Sequence, residues 1–283
     1  MIQVVRTRKI SVNHKLYYLY SYSQGGKGMP IIQLAISLIV LGILYTRMIR
    51  RESPDTISKV QAVVPIVLGV VSTGLSFPLF LAIGSLLDKA GVSTQQLPPF
   101  IRSVVVAFIS AGFPEEITKF LMIVLTLLIF RSKVRNVYEY ILIGAAVGFG
   151  FTLLEEFLYG SDSWILAVTR LLTVASHMVF GIIMAKHLGL AKNNKVKGSG
   201  SVAGQYVLAL LVPIILHTLY DAGTATNAFL NIETEDAEMI GMAFALVVTV
   251  ALFIVQIVVT VRLKKNTEKY CAMLTSNTDK LEA

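Results

Sequence analysis

Apolar residues fall in seven long runs, roughly 30 to 48, 61 to 87, 101 to 130, 138 to 159, 164 to 190, 203 to 226 and 238 to 262, parted by short polar stretches. Each run has close to the ~20 residues, or more, that a helix needs to cross a bilayer. None shows the period-two alternation of a barrel strand. The pattern predicts seven transmembrane helices, or eight if the third run divides at Pro114 and residues 101 to 112 enter the membrane as a separate half-helix.

Composition fixes the class. Of 283 residues 55% are hydrophobic and 15% charged, with a mean hydropathy of +0.71. A water-soluble chain of this length needs a more polar surface, so the expected fold is an all-α, polytopic transmembrane helical bundle. The net charge of +8 does not indicate nucleic acid, because Lys and Arg cluster in the gaps between apolar runs, where they orient helices. The bilayer is the expected partner, and nucleic acid is not. Cys271 is the single cysteine, which excludes an intrachain disulfide and a cysteine-based zinc cluster.

The gaps alternate in charge. Arg47, Arg50, Arg51 and Lys59 lie in the first, Lys89 in the second, Arg131, Lys133 and Arg135 in the third, and Asp162 in the fourth. Lys192, Lys195 and Lys197 lie in the fifth, Glu233, Glu235, Asp236 and Glu238 in the sixth, and Arg262, Lys264 and Lys265 follow the last run. The positive-inside rule then puts the basic gaps and the C-terminus in the cytoplasm of a multi-pass cell-membrane protein. Residues 1 to 28 conflict with this, carrying Arg6, Arg8, Lys9, Lys15 and Lys27 on the side predicted to face out. Either translation starts at Met29 or the first run does not cross. The expected organisation is a basic segment (1–28), non-native or disordered, one membrane-embedded domain (29–265) and a polar cytoplasmic tail (266–283). The stretch 192 to 201, KNNKVKGSGS, reads as a flexible polar loop.

Several ionisable residues stand inside the apolar runs, where each costs on the order of 3 kcal/mol. They are Glu115, Glu116 and Lys119 in run 3, Glu155 and Glu156 in run 4, His177 in run 5, and His217 and Asp221 in run 6. Counted at about 1.5 Å per residue from the cytoplasmic ends, Glu115, Glu155, His177 and His217 lie roughly 20 to 25 Å up, in one layer outward of the midplane. Lys119, at i+4 from Glu115, is placed to neutralise it, while Glu116 projects about 100° away. Glu156 is placed to pair with Arg170, and Asp221 to orient His217 or touch substrate. Tyr159, Trp164 and Tyr220 read as interfacial anchors, and His14 and His187 fall outside the layer.

Two chemistries fit such a layer. Glu115, Glu155, His177 and His217 could ligate zinc, leaving a metal-bound water of lowered pKa. Alternatively a glutamate acts without metal as general base on water while the histidines stabilise an oxyanion. Either hydrolyses an amide. Buried acids and histidines also serve transporters or channels that move protons or cations, and some membrane scaffolds need no chemistry at all.

The motifs are similar to those of one family. EEITK (115–119) resembles the EExxK element of PrsW-type intramembrane proteases, FTLLE (151–155) their FxxxE element, and HTLYD (217–221) their closing HxxxD/N, with His177 between in the expected order. RRESPD after the first run resembles the family's charged, proline-containing loop. The resemblance covers roughly residues 100 to 225 and places the chain in a superfamily with CAAX prenyl proteases and bacteriocin-processing enzymes. It implies that Glu115 activates water, that His217 and Asp221 assist the oxyanion or the water, that Glu155 holds the place of a histidine in CAAX-type relatives, and that Glu116 braces the site with Lys119. It further implies a membrane-anchored substrate of the anti-sigma-factor class, cut near the outer face in site-1 fashion to begin a stress response. Glu156 departs from the family pattern, in which Asn is common.

Overall fold

A computed structural model describes residues 28–51, 57–94, 96–159, 164–224 and 235–274. Among them the chain is helical, without a strand. The helices are α1 (Gly28–Ile49), α2 (Lys59–Lys89), α3 (Pro99–Ala107), α4 (Phe113–Ile129), α5 (Val137–Tyr159), α6 (Trp164–Thr173), α7 (Ser176–Lys197), α8 (Val202–Thr224), α9 (Glu235–Lys265) and α10 (Thr267–Ala272). Six helical stretches are individually long and apolar enough to cross a membrane: Ile31–Ile49, Lys59–Lys89, Val137–Leu158, Val168–Lys197, Val202–Thr224 and Ala243–Lys265. The seventh is composite. α3 passes without reversal through a π turn, Phe108–Gly112, into α4, so residues 101 to 112 are not a separate half-helix.

The π turn lies where sequence predicts an interruption. Pro114 has no N–H to give, and its ring crowds the preceding turn. The helix answers by widening ahead of it, with the Phe113 N–H reaching the Phe108 carbonyl five residues back. Run 5 is also not one rod. It breaks at Val174 and Ala175, where the Thr173 hydroxyl donates to the Thr169 carbonyl at 3.0 Å and Ser176 Oγ donates to the Thr173 carbonyl at 2.5 Å. The Ser176 hydroxyl and the Gln256 amide, which donates to the Leu172 carbonyl at 3.3 Å, meet two last-turn carbonyls that a break inside a membrane would strand.

α5 is the hub. It is the most buried of the long helices and packs on α1, α2, α4 and α7. Its start is set by Asn136, whose side-chain oxygen accepts the Glu139 N–H at 2.9 Å, the geometry of an N-cap. Its glycines admit backbones at contact distance: a Cβ on Gly144 would lie 2.0 Å from the Gly181 carbonyl oxygen, and one on Gly148 would lie 2.1 Å from that of His177. In lipid such small-residue seams replace the hydrophobic drive that holds soluble helices together.

Leu41, Tyr45 and Met48 of α1 join Tyr138, Ile141 and Phe149 of α5, Met178 and Ile182 of α7 and Leu263 of α9 in one apolar cluster. A second cluster, with Ile123, Val147, Met184 and Ala209, ties α4, α5, α7 and α8. The expected loop at 192 to 201 is half helix. α7 continues through Lys197 because Lys and Asn do not break a helix, and Lys195 and Lys197 favour the negative end of its dipole. Gly198, at φ 62°, then ends it in the left-handed conformation. The basic segment 1–27, His14, Asp162, Glu233 and most of RRESPD lie outside the described residues, as do the side chains of Tyr159, Trp164, Glu235, Asp236 and Glu238.

Candidate active site

Four helices deliver the polar residues to one place. The first turn of α4 supplies Glu115, Glu116 and, one turn on, Lys119; α5 supplies Glu155; the first turn of α7 supplies His177; and α8 supplies His217 and Asp221. Thr118 secures the start of α4, its hydroxyl donating to the carbonyls of Pro114 and Glu115 at 3.0 Å each. The break between α6 and α7 puts His177 on a helix start inside the bundle, and Gly148 lets α5 approach its backbone.

A continuous chain of polar contacts links these side chains. His217 Nδ1 lies 2.6 Å from Glu116 Oε1, the same oxygen that accepts from Lys119 Nζ at 2.6 Å. Lys119 Nζ also lies 2.7 Å from His177 Nδ1, and His177 Nε2 lies 2.6 Å from Glu155 Oε2. A lysine ammonium has only donors, so His177 Nδ1 accepts and its Nε2–H donates to Glu155. Glu116 and Lys119 are 0% exposed. Lys119 stands 3.8 Å from the centre of the Phe151 ring, which spreads its charge into an aromatic face. The two imidazoles are 5.1 Å apart, with Phe180 against both.

His217 Nε2 is different. Its nearest polar partners are Asp221 Oδ2 at 3.5 Å and Glu115 Oε2 at 3.7 Å, beyond direct hydrogen bonding. Each carboxylate oxygen is parted from His217 Nε2 by a gap too long for a direct hydrogen bond. A cavity of about 30 Å³ opens beside them, lined by Glu155, Arg170, Thr173, His177, His217, Tyr220 and Asp221 among others. It has room for a water molecule. Glu115 is not among its lining residues and reaches the region through His217 Nε2.

Two sequence expectations need correction. Lys119 pairs with Glu116 rather than Glu115, because i,i+3 neighbours share a face as readily as i,i+4 ones, and the His177 and Phe151 side chains draw the ammonium to that side. Tyr220 is not an anchor at the interface; its hydroxyl lies 3.0 Å from Thr173 Oγ1 and its side chain lines the cavity. Glu155 stands beside the group best placed to hold a metal. Donor atoms of Glu115, His177 and His217 lie within 4.8 Å of one another, whereas Glu155 is committed to His177 and to Arg170 Nη2, at 3.4 Å. Glu156 does meet Arg170, at 3.0 Å from Nη2 and 3.2 Å from Nε. His187 lies apart, against Gln205 at 2.6 Å.

The three-residue group suits a divalent metal in donor chemistry, with two imidazoles and one carboxylate. Glu116 behind His217 Nδ1 repeats the carboxylate that commonly orients a metal-bound histidine. His177 fits less simply, since both its nitrogens are engaged and one contact must be exchanged for a metal.

One residue of the polar network is not evident from the motifs. Gln33, on α1 and 2% exposed, donates its side-chain amide to Glu156 Oε2. Its signal is a lone amide within the apolar start of run 1, of the same kind that marks Glu115.

Comparison with known proteins then bears on the whole constellation. The family described as "PrsW family intramembrane metalloprotease" matches residues 61–258, more than half of the chain. The chain belongs to the PrsW family. Among its relatives, Protease PrsW of Halalkalibacterium halodurans is 35% identical over 128 residues, which cover 44% of this chain and 56% of the relative. Protease PrsW of Bacillus subtilis is 34% identical over 121 residues, 42% of this chain and 54% of the relative. The chain thus spans about half the length of the curated PrsW relatives it matches. No solved structure matches it. PrsW membership and six independently qualifying spans make it a multi-pass membrane protein.

Proposed function

We propose that the protein is an intramembrane endopeptidase that hydrolyses a peptide bond of a membrane-anchored protein near the outer membrane face. The observation that carries this reading is the gap bounded by His217 Nε2, Glu115 and Asp221 beside a water-sized cavity, within a chain of the PrsW family. The PrsW resemblance makes an anti-sigma factor the substrate class of choice. The protease domain is residues 29–265, with the C-terminal tail in the cytoplasm on the charge pattern of the gaps.

In this reading Glu115 takes a proton from a water in the gap, and the oxygen attacks the substrate carbonyl carbon. His217 in its imidazolium form, its Nδ1–H held by Glu116, turns its Nε2–H to the oxyanion that forms. The proton held by Glu115 passes to the amide nitrogen and the C–N bond breaks; the new carboxylic acid gives up the water's second proton to the released amine, so that a carboxylate and an ammonium leave. Lys119 pairs with the buried Glu116, and Glu155 fixes the ring of His177. If zinc is bound, Glu115, His177 and His217 hold it, and it supplies a Lewis acid and a water of lowered pKa.

The test is cleavage of single-span membrane proteins by the purified protein in lipid. Glu115→Gln and His217→Ala are each expected to lower kcat by about 10²- to 10⁴-fold, with Glu155→Gln falling in the same direction. Retained cleavage in all three would sink the assignment. Activity that survives complete removal of metal excludes the zinc version and leaves the glutamate one.

A further inference from the structure

Glu155 and Glu156 are adjacent carboxylates in a membrane span, and the described structure supplies them with one shared cation. Arg170, on the short α6, points Nε and Nη2 at Glu156 Oε1, at 3.2 and 3.0 Å, and places Nη2 3.4 Å from Glu155 Oε1. Its side chain is 24% exposed and lines the cavity, while Glu156 is 4% exposed. The other oxygen of Glu156 accepts from Gln33 of α1. The other oxygen of Glu155 receives His177 Nε2–H at 2.6 Å.

We propose that Arg170 is a positioning residue: clamped on Glu156, whose far oxygen is held by Gln33, it fixes the rotamer of Glu155 and through it the ring of His177. A planar guanidinium can span two carboxylates where an ammonium acts as a point charge. The clamp also explains why two glutamates are tolerated side by side. Each uses one oxygen on Arg170 and has the other free for a directional partner, Gln33 for Glu156 and His177 for Glu155. Arg170 reaches His177 through one link, Glu155.

The inference rests on the endopeptidase reading only in its kinetic arm. The test is the paired variant Arg170→Gln/Glu156→Gln, which removes one charge of each sign and leaves Glu155 and His177 in place. In full-length protein labelled with ¹⁵N-histidine and held in lipid nanodiscs, the His177 imidazole resonances, assigned by their loss in His177→Gln, are expected to move, while those of His187 stay. In the cleavage assay kcat is expected to fall by about 10- to 100-fold with KM little changed. Unmoved His177 resonances overturn the proposal whatever the activity does, and so does unchanged kcat. A wild-type protein that cleaves nothing fails the endopeptidase reading alone, and the resonances still report on the clamp. Should the paired variant not fold, Arg170→Lys gives the same decision: moved resonances and lowered kcat are expected, and wild-type values of either overturn it.

Discussion

Lys119 shows how many partners one buried side chain can hold. It is wholly buried and holds Glu116, His177 and the Phe151 face at once. Lys119→Met leaves a carboxylate uncompensated and should cost about 3–5 kcal/mol, read as a lowered unfolding temperature in detergent. Adding Glu116→Gln removes the orphaned charge, so the double variant should be more stable than the single one. Polar residues in hydrocarbon were conspicuous in the sequence, and hence Glu115, Glu116, Lys119, Glu155, His177, His217 and Asp221 were legible as a set. Their pairing was not. The choice of Lys119 between Glu115 and Glu116 depends on where α5 and α7 place Phe151 and His177, which spacing along α4 does not contain. Gln33 was equally visible but lay far from any motif, and only the packing of α1 on α5 connects it to Glu156.

At the scale of the element, two irregular helices make the site. The π turn at Phe108–Gly112 brings Gly112 against α8, where a Cβ would stand 2.1 Å from Thr218 Oγ1, a hydroxyl with no hydrogen-bond partner among the described residues. Gly112→Ala should therefore destabilise by about 1–3 kcal/mol, and Thr218→Ala in the same chain should recover part of the loss. Denaturation of the four proteins of that cycle checks it. Likewise Gly148→Ala forces α5 away from the His177 backbone and should cut both stability and cleavage, whereas Gly42→Ala, with open space about its Cα, should change neither. Pro114 announced an interruption, but its resolution as a π turn instead of a reversal depends on the neighbours that hold α3 in line, such as the Ser103 hydroxyl on the Ala222 carbonyl at 2.8 Å. The break before His177 carries no Pro or Gly, which is why run 5 read as a single span. The carbonyls it frees are met by the Ser176 hydroxyl and the Gln256 amide, and Gln256 comes from a helix far along the chain.

For the whole molecule the apolar runs sufficed to name a helical bundle, because hydrocarbon leaves a chain few ways to satisfy its backbone. The charge pattern makes a further claim about orientation. In a Cys271→Ser background, Ser199→Cys should react with a membrane-impermeant thiol reagent only in inverted vesicles, and Val92→Cys only in right-side-out ones; both positions are exposed. The reverse result would invert the proposed topology. Packing order adds a consequence for how the molecule can be divided. The family match begins at residue 61, yet α1 lies before it and seats Leu41, Tyr45 and Met48 on α5, with the Tyr138 hydroxyl donating to the Met48 carbonyl at 2.9 Å. A gene fragment trimmed to the matched segment would expose a trench along α5 and lose the amide on Glu156. Because preformed helices can associate side by side in lipid, a separately expressed peptide carrying α1 should fill that trench and restore the trimmed protein.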